Sequence, residues 1–409
     1  MSDFNTKSKC RICDSESMSK ILPLKASPIA DAYIKKNDIG LKQSKYDLSV
    51  FLCRSCGLVQ LITVINPSIL YNDFLYKTDT SLGLTDHFMK LASKMTKKLD
   101  LIKGSLVVDI GSNDGSLLLG FKNNNMVVLG VEPACGIAKD ADDSGIRTWC
   151  TYFSLETSKK ILDEHGRAKV INCNNTFANI DEINDFVDGF KYLLDNNGTL
   201  IIETSYIFNL IDSLVFDTIY HEHLSYFSLT PLEYLFNKHR LKVVDVETVD
   251  TKGGSIRCYI EHDIGQDVSE SILEMRSNEK KLYSLDVFND FAFNIEKQKD
   301  KCKAFLEKNN STKIYGYGAS HTTTTMLFHY EIYDYIEKII DDNEIKIGRL
   351  SPYSHIPVVS SKLLYSDAPD FVVIFAWRFS DYIIEQHKKY LENGGIFIIP
   401  LPEFRIIKF

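Results

Sequence analysis

Two cysteine pairs of identical spacing stand near the start of the chain, Cys10 and Cys13 in CRIC and Cys53 and Cys56 in CRSC. Together they offer four thiolates, the ligand set of a tetrahedral Zn(II) ion. Four sulfurs leave no coordination position open for water, so the expected zinc is structural, its binding energy standing in for a core that a short module cannot build. Cys135, Cys150, Cys173, Cys258 and Cys302 lie in apolar or helical stretches and read as small core residues. Nine cysteines is an odd count, and the N-terminal residues carry no secretion-signal pattern, so a disulfide framework is not expected.

A second constellation is the run SLVVDIGSNDGSLL, which sets Asp109, Gly111, Ser112, Asn113, Asp114 and Gly115 in a tight strand-to-helix turn. Glycine there lets backbone approach a ligand. The spacing is D-x-G-x-x-x-G rather than the G-x-G-x-x-G of dinucleotide folds, and the next apolar run closes as VLGVEP on Glu132 and Pro133. A carboxylate about twenty residues beyond the turn is placed to accept the ribose hydroxyls of an adenosine. The combination favours S-adenosylmethionine over NAD, with Asp109, Gly111, Asn113, Asp114, Gly115, Glu132 and Pro133 around it. INCNNTFANI adds Asn174 and Asn175 near the adenine and methionine portions. The plain alternative is that Asp109 and Glu132 only cap helices.

The third is FDTIYHEHLSYFSL, which gathers Tyr220, His221, Glu222, His223, Ser225 and Tyr226 just after the strand-like TLIIETS. Imidazole titrates near neutral pH, and ligand chemistry in α/β sheets collects beyond the carboxyl ends of strands. A buried polar loop of satisfied histidines, or an H-x-H metal pair, would account for the same letters.

These residues need elements to hold them. Length and a near-average apolar content argue for two or three folded domains. Residues 1–65 form the zinc-binding module; 66–265 begin with a lead-in helix carrying Phe88, Leu91, Met95 and Leu99, then alternate strand and helix as a parallel doubly wound sheet; 266–409 open with one or two linking helices and repeat the alternation. The fold class is therefore α/β: a Rossmann-like domain flanked by a small zinc module and a second α/β domain. A net charge of −8 and the lack of a basic stripe argue against nucleic-acid partners, and no apolar run is long enough for a membrane span. A cytoplasmic location is expected.

With these motifs in place, the chain resembles, over nearly its whole length, a family of three-domain bacterial sugar C-methyltransferases. The most specific match is FDTIYHEHLSYFS; others are GGSIR at 253–257, GYGA at 316–319, IDDN at 340–343, HIPV at 355–358 and AW at 376–377. The resemblance implies methylation of a carbon next to the ketone of a nucleotide-diphosphate keto-sugar, for a capsule, lipopolysaccharide or glycosylated natural product. It makes His223 the base, with Glu222, Tyr220 and Tyr76 orienting the sugar or stabilising the enolate, and it puts Asn179, Lys252, Gly254, Arg257, Ser320 and His321 at the substrate. The cleft between the middle and C-terminal domains holds the nucleotide. The departures are Asn179 where the family commonly has histidine, SHTTTT after GYGA where a lysine is usual, KTDTS around Thr78 and KGGS at Lys252; altered specificity is the first reading of them. An O- or N-methyltransferase leaves the third domain and the Glu222/His223 pair without a purpose, and a decayed zinc-containing scaffold would fail to bind S-adenosylmethionine.

Overall fold

The apolar runs of the middle region become the strands of a seven-stranded sheet. Its order is Leu241–Val249, Ser255–His262, Leu194–Ser205, Ala168–Asn174, Leu106–Ile110, Val127–Glu132, Thr148–Cys150. The computed structural model describes residues 3–70, 83–250 and 253–409. Leu106–Ile110 is buried at every position, as a strand with neighbours on both edges and helices on both faces must be. The five strands from Leu194–Ser205 to Thr148–Cys150 run parallel. The expected all-parallel sheet fails at the other end, where Ser255–His262 runs antiparallel to both its neighbours. The connection from Val249 to Ser255 is too short for a parallel crossover, so the chain can only turn back as a hairpin.

The lead-in helix is Leu84–Lys98, and it buries Phe88, Leu91, Ala92 and Met95 at three- and four-residue spacing. Helices Glu270–Asn278 and Leu285–Lys308 then link to a second, six-stranded sheet ordered Val358–Val359, Lys338–Ile340, Ile314–Tyr317, Phe371–Ile374, Ile396–Ile399, Arg405–Ile407. Only its last strand is antiparallel. Among the described residues no helix is long and apolar enough to cross a membrane.

The three regions interlock. The N-terminal strands Met18–Leu22, Val50–Cys53 and Val59–Leu61 gain a fourth, Ser225–Tyr226, from the middle region. Ile34–Lys35 pairs with Arg349–Leu350 of the C-terminal region. Both pairings cross the divisions suggested at 65 and 265. The cores merge likewise: Cys10, Ile12 and Cys53 pack in one cluster with Phe177, Leu232 and Phe236, whereas Leu22, Leu24 and Tyr33 pack in another with Phe216, Ile219 and Phe328.

The segment 216–227 lies where these regions meet. It is mostly buried yet irregular except for Ser225–Tyr226, so its polar groups must find partners elsewhere. Asp217, fully buried, accepts from Trp377 Nε1 at 2.8 Å and Arg378 Nη1 at 3.0 Å. The Ile219 carbonyl accepts from Thr325 Oγ1 at 2.8 Å. The Leu224 carbonyl accepts from Arg11 Nη1 at 2.6 Å and from the Leu61 amide at 3.0 Å. Thr324 Oγ1, one residue before Thr325, donates to the Ala30 carbonyl at 2.7 Å. The helix His321–Tyr330 thus ties all three regions together.

Replacing Asp217 with Ala strands a buried indole N–H, a loss of about 1–3 kcal/mol by the usual penalty for an unpaired donor. Urea unfolding followed by tryptophan fluorescence should show the lowered midpoint. A wild-type midpoint would mean that this clamp contributes nothing.

Candidate active site and zinc centre

The two cysteine knuckles converge. All four sulfurs lie within 4.8 Å of one another, with Cys10 and Cys56 3.6 Å apart and Cys13 and Cys53 3.5 Å apart. A tetrahedral zinc with 2.3 Å bonds needs sulfur separations of about 3.8 Å, so the residues present fit the ion. Within the cluster the hydrogen bond with Cys56 pushes the Cys10 pKa down to about 5. Arg11, between the first two ligands and 4% exposed, donates to the Gln60 side chain at 3.1 Å and the Leu61 carbonyl at 2.9 Å as well as to Leu224. The knuckle is therefore one residue away from the segment 216–227.

Of the other cysteines, Cys173, Cys258 and Cys302 are buried as expected of core residues. Cys135 and Cys150 are not: both are exposed and joined in a disulfide with a Cα separation of 5.0 Å. Parallel register sets Glu132 opposite Cys150, and the helix Cys135–Asp143 starts three residues after Glu132, which brings the two sulfurs together.

The turn after Leu106–Ile110 is built for close approach. Gly111, Asn113 and Gly115 all have left-handed backbone, at φ of 73°, 49° and 78°. A Cβ on Gly111 would lie 2.8 Å from Thr176 Cγ2, so only glycine closes this turn against the neighbouring strand end. Glu132 accepts from the Asn113 amide at 3.0 Å and the Ala134 amide at 2.9 Å, which fixes its carboxylate over the turn. Burial, then the Glu132 and Asp114 carboxylates, push Asp109 well above the usual carboxylate range. Burial also raises Glu132, against the pull of its two amide donors. Three acids share this corner, and a ligand bearing a sulfonium and an ammonium would relieve their mutual repulsion. Beside them the side-chain amides of Asn172 and Asn174 and the Ser112 hydroxyl lack partners among the described residues. Asp109, Glu132, Asn174 and the Gly111 turn fit S-adenosylmethionine. Asn175 adjoins them at φ 56°, its amide donating to the Glu203 carbonyl at 2.7 Å, and Pro133 follows Glu132 with its carbonyl facing Cys150.

In the HEH segment the two histidines diverge. His221 is buried edge-on to Tyr46, with ring centroids 5.8 Å apart. The His223 ring lies tilted against Tyr220 with centroids 4.2 Å apart; its Nδ1 is 3.1 Å from the Thr218 carbonyl and its Nε2 is 3.1 Å from the Tyr220 hydroxyl. Glu222, 5% exposed, lies 3.2 Å from His321 Nε2.

Among the residues expected at the substrate, Arg257, Ser320 and Gly254 have structural partners. Arg257 is 4% exposed and held by Glu203 and Glu247 on neighbouring strands. Ser320 caps the helix His321–Tyr330 in a capping box with Thr323. Gly254, at φ 109°, lets Asn209 approach to 2.7 Å of where a Cβ would sit. Asn179 is half-buried, with its Oδ1 unpartnered among the described residues. Tyr76 and Lys252 lie outside the described residues. A cavity of about 330 Å³ opens between the middle and C-terminal regions, lined by Val215, Gly253, Trp377, Arg378 and Arg405. The spacing rules missed Asp31, Asp217, Arg378 and Arg405; the only signal near them was the AW pair just before Arg378.

Comparison with known families gives this arrangement a class. Residues 85–246 match a family described as methyltransferase domain and 10–71 one described as zinc binding domain. The fold and site are those of an S-adenosylmethionine-dependent methyltransferase with a zinc-binding module. Residues 250–402 match the C-methyltransferase C-terminal domain, and over 407 residues the chain is 32% identical to the C-methyltransferase NovU of Streptomyces niveus, covering 98% of this chain and 96% of that one. The chain belongs to the C-methyltransferase family. Similar solved structures include magnesium protoporphyrin IX methyltransferase from Synechocystis PCC 6803, 11% identical over 48% of this chain and 88% of that one with a TM-score of 0.35. Another is the PH0226 protein of Pyrococcus horikoshii OT3, 14% identical over 47% and 97% with a TM-score of 0.38.

Two outcomes are expected. Cys53→Ser should lose zinc, measured by metal analysis of the purified protein, and melt at lower temperature; a full zinc complement would remove Cys53 from the ligand set. Asp109 ionises near pH 3.9 in an unfolded chain and higher in the fold, so the fold is favoured while acid keeps this carboxyl neutral and loses that advantage as pH rises through the folded value. Asp109→Asn should thus melt above the wild type by a margin that grows as pH rises above the unfolded value, while binding S-adenosylmethionine at least about tenfold more weakly by calorimetry. A margin that ignores pH would refute the assigned burial cost.

Proposed function

We propose that this C-methyltransferase acts on a nucleotide-diphosphate keto-sugar, removing a proton from the carbon next to the ketone so that the carbon can be methylated. The observation that carries the reading is the bonding of His223. A carbonyl only accepts, so the Nδ1 beside the Thr218 carbonyl carries a proton, and in the neutral form of the ring, which a base requires, Nε2 keeps its lone pair. Tyr220 donates into that lone pair. A substrate C–H presented to Nε2 displaces this hydroxyl, which then donates to the oxygen where enolate charge develops. Burial, then the Glu222 carboxylate, hold the Tyr220 phenol well above its ordinary pKa, so it stays a donor throughout. S-adenosylmethionine, when bound, supplies a methyl carbon made electrophilic by its sulfonium.

The polar remainder supports a sugar nucleotide. Asn179, with an unpartnered amide oxygen, suits a sugar hydroxyl and cannot serve as a base. Arg378, whose Nη1 is held by Asp217, and Arg405 bring guanidinium groups to the cleft of about 330 Å³, which Asp381 also lines; such groups are the chemistry that recognises a diphosphate. Tyr76 keeps the orienting role that the family resemblance assigns to it.

The test is mass spectrometry of the protein incubated with S-adenosylmethionine and a panel of nucleotide-linked 4-keto-sugars deuterated next to the ketone. Gain of one methyl with loss of one deuterium is expected; gain of a methyl with full retention of deuterium would indicate O-methylation. No product across the panel, with cofactor binding intact, would remove the keto-sugar. His223→Asn should bind S-adenosylmethionine normally and turn over about 10²–10⁴-fold more slowly, the usual contribution of a general base.

A further inference from the structure

His321 occupies a position that neither the cofactor turn nor the HEH segment explains. It opens the helix that ties the three regions together, and its ring lies between two carboxylates from two other parts of the chain. Nε2 is 3.2 Å from Glu222, and Nδ1 is 3.7 Å from Asp31 of the N-terminal module. Asp31 in turn pairs with Lys346, whose ammonium lies 4.6 Å from the centre of the Tyr33 ring. Tyr33 donates to the Ser320 carbonyl at 3.4 Å, and the Tyr220 ring lies tilted against the imidazole with centroids 5.0 Å apart. The result is a line of alternating charge, Lys346, Asp31, His321, Glu222, that ends beside Tyr220 and His223. Among the described residues, the groups facing the imidazole are Asp31, Glu222, Lys346 and the Tyr220 ring. Burial alone would disfavour its cationic form, but the two carboxylates outweigh burial and Lys346, and its pKa is raised.

We propose that His321 is a positioning residue for the active site, bridging Asp31 and Glu222 so that the Glu222 carboxylate is fixed beside Tyr220 only when the N-terminal and C-terminal regions are docked. This rests on the reading that Glu222 and His223 work together on the substrate. A carboxylate held on one side by an imidazolium keeps a single orientation, and its second oxygen remains available to a sugar hydroxyl. With Ala at 321, Glu222 would lose its hydrogen-bonded cation and Asp31 would keep only Lys346. Turnover would suffer through misplacement of Glu222, while the cofactor corner, built on a different strand end, would be untouched.

The bridge is tested without substrate, so its failure and that of the keto-sugar reading are distinguishable. The full chain with ring-15N-labelled histidine is followed by NMR from about pH 5 to pH 9, His321 being assigned by its absence from His321→Ala. The expected result is an imidazole that stays doubly protonated above the ordinary histidine value of about 6.5 and moves down in Asp31→Asn and in Glu222→Gln. A ring titrating at or below that value, or one indifferent to both substitutions, overturns the bridge.

The positioning role is then read with the keto-sugar that gives product in the panel. His321→Ala should bind S-adenosylmethionine as the wild type does and lose about 10–100-fold in kcat with little change in KM, and added imidazole should restore part of the loss. His321→Gln, which keeps a neutral donor, should fall between and serves if the alanine variant does not fold. Wild-type kcat in either variant, with folding confirmed by cofactor binding, overturns the role.

Discussion

Everything at the centre of this molecule follows from one constraint: the chain between 216 and 227 is buried without regular structure. Backbone in that state has no ladder of its own to satisfy it, so each carbonyl and carboxylate must be met from outside. Thr325 meets Ile219, Trp377 and Arg378 meet Asp217, Arg11 meets Leu224, and Val59–Leu61 takes Ser225–Tyr226 into a sheet. A helix or strand here would close on itself and present a uniform face. An irregular segment pinned at several points presents Tyr220, Glu222 and His223 in directions no regular element could combine. The interlocked regions are the means of pinning it.

The zinc module takes its meaning from the same constraint. Arg11 stands between Cys10 and Cys13 and reaches the Leu224 carbonyl one residue from His223. Four thiolates around an ion hold that short stretch more rigidly than packing could in so small a module. A structural metal thereby helps to set the path of the buried segment 216–227.

Much of this was legible in the residues because periodicity is local. Strands such as SLVVDIG and TLIIETS, the lead-in helix and the cysteine knuckles all announce themselves over a few residues. The cofactor corner was legible as well, since Asp109 and Glu132 sit at the ends of adjacent strands in any parallel pairing of those two runs. What escaped depends on contacts distant in sequence. Thr148–Cys150 is an edge strand too short to show a pattern, and the Cys135–Cys150 disulfide exists only because register brings its halves together. The hydroxyls of SHTTTT invite a substrate on paper. In the fold Ser320 and Thr323 cap a helix, and Thr324 and Thr325 tie it to the other regions. Asp31 carries no local signal and Arg378 only the neighbouring AW pair; their roles come from what lies opposite.

The distance between partners has a consequence during synthesis. Thr325 follows Ile219 by 106 residues and Arg378 follows Asp217 by 161. At about 5–20 residues per second a ribosome needs about 5–30 s to deliver these partners after the segment itself has emerged. In that interval the middle sheet can close around its cofactor corner while the segment 216–227 stays solvated. Until the last region arrives, the segment lacks the partners that hold Tyr220, Glu222 and His223 in place.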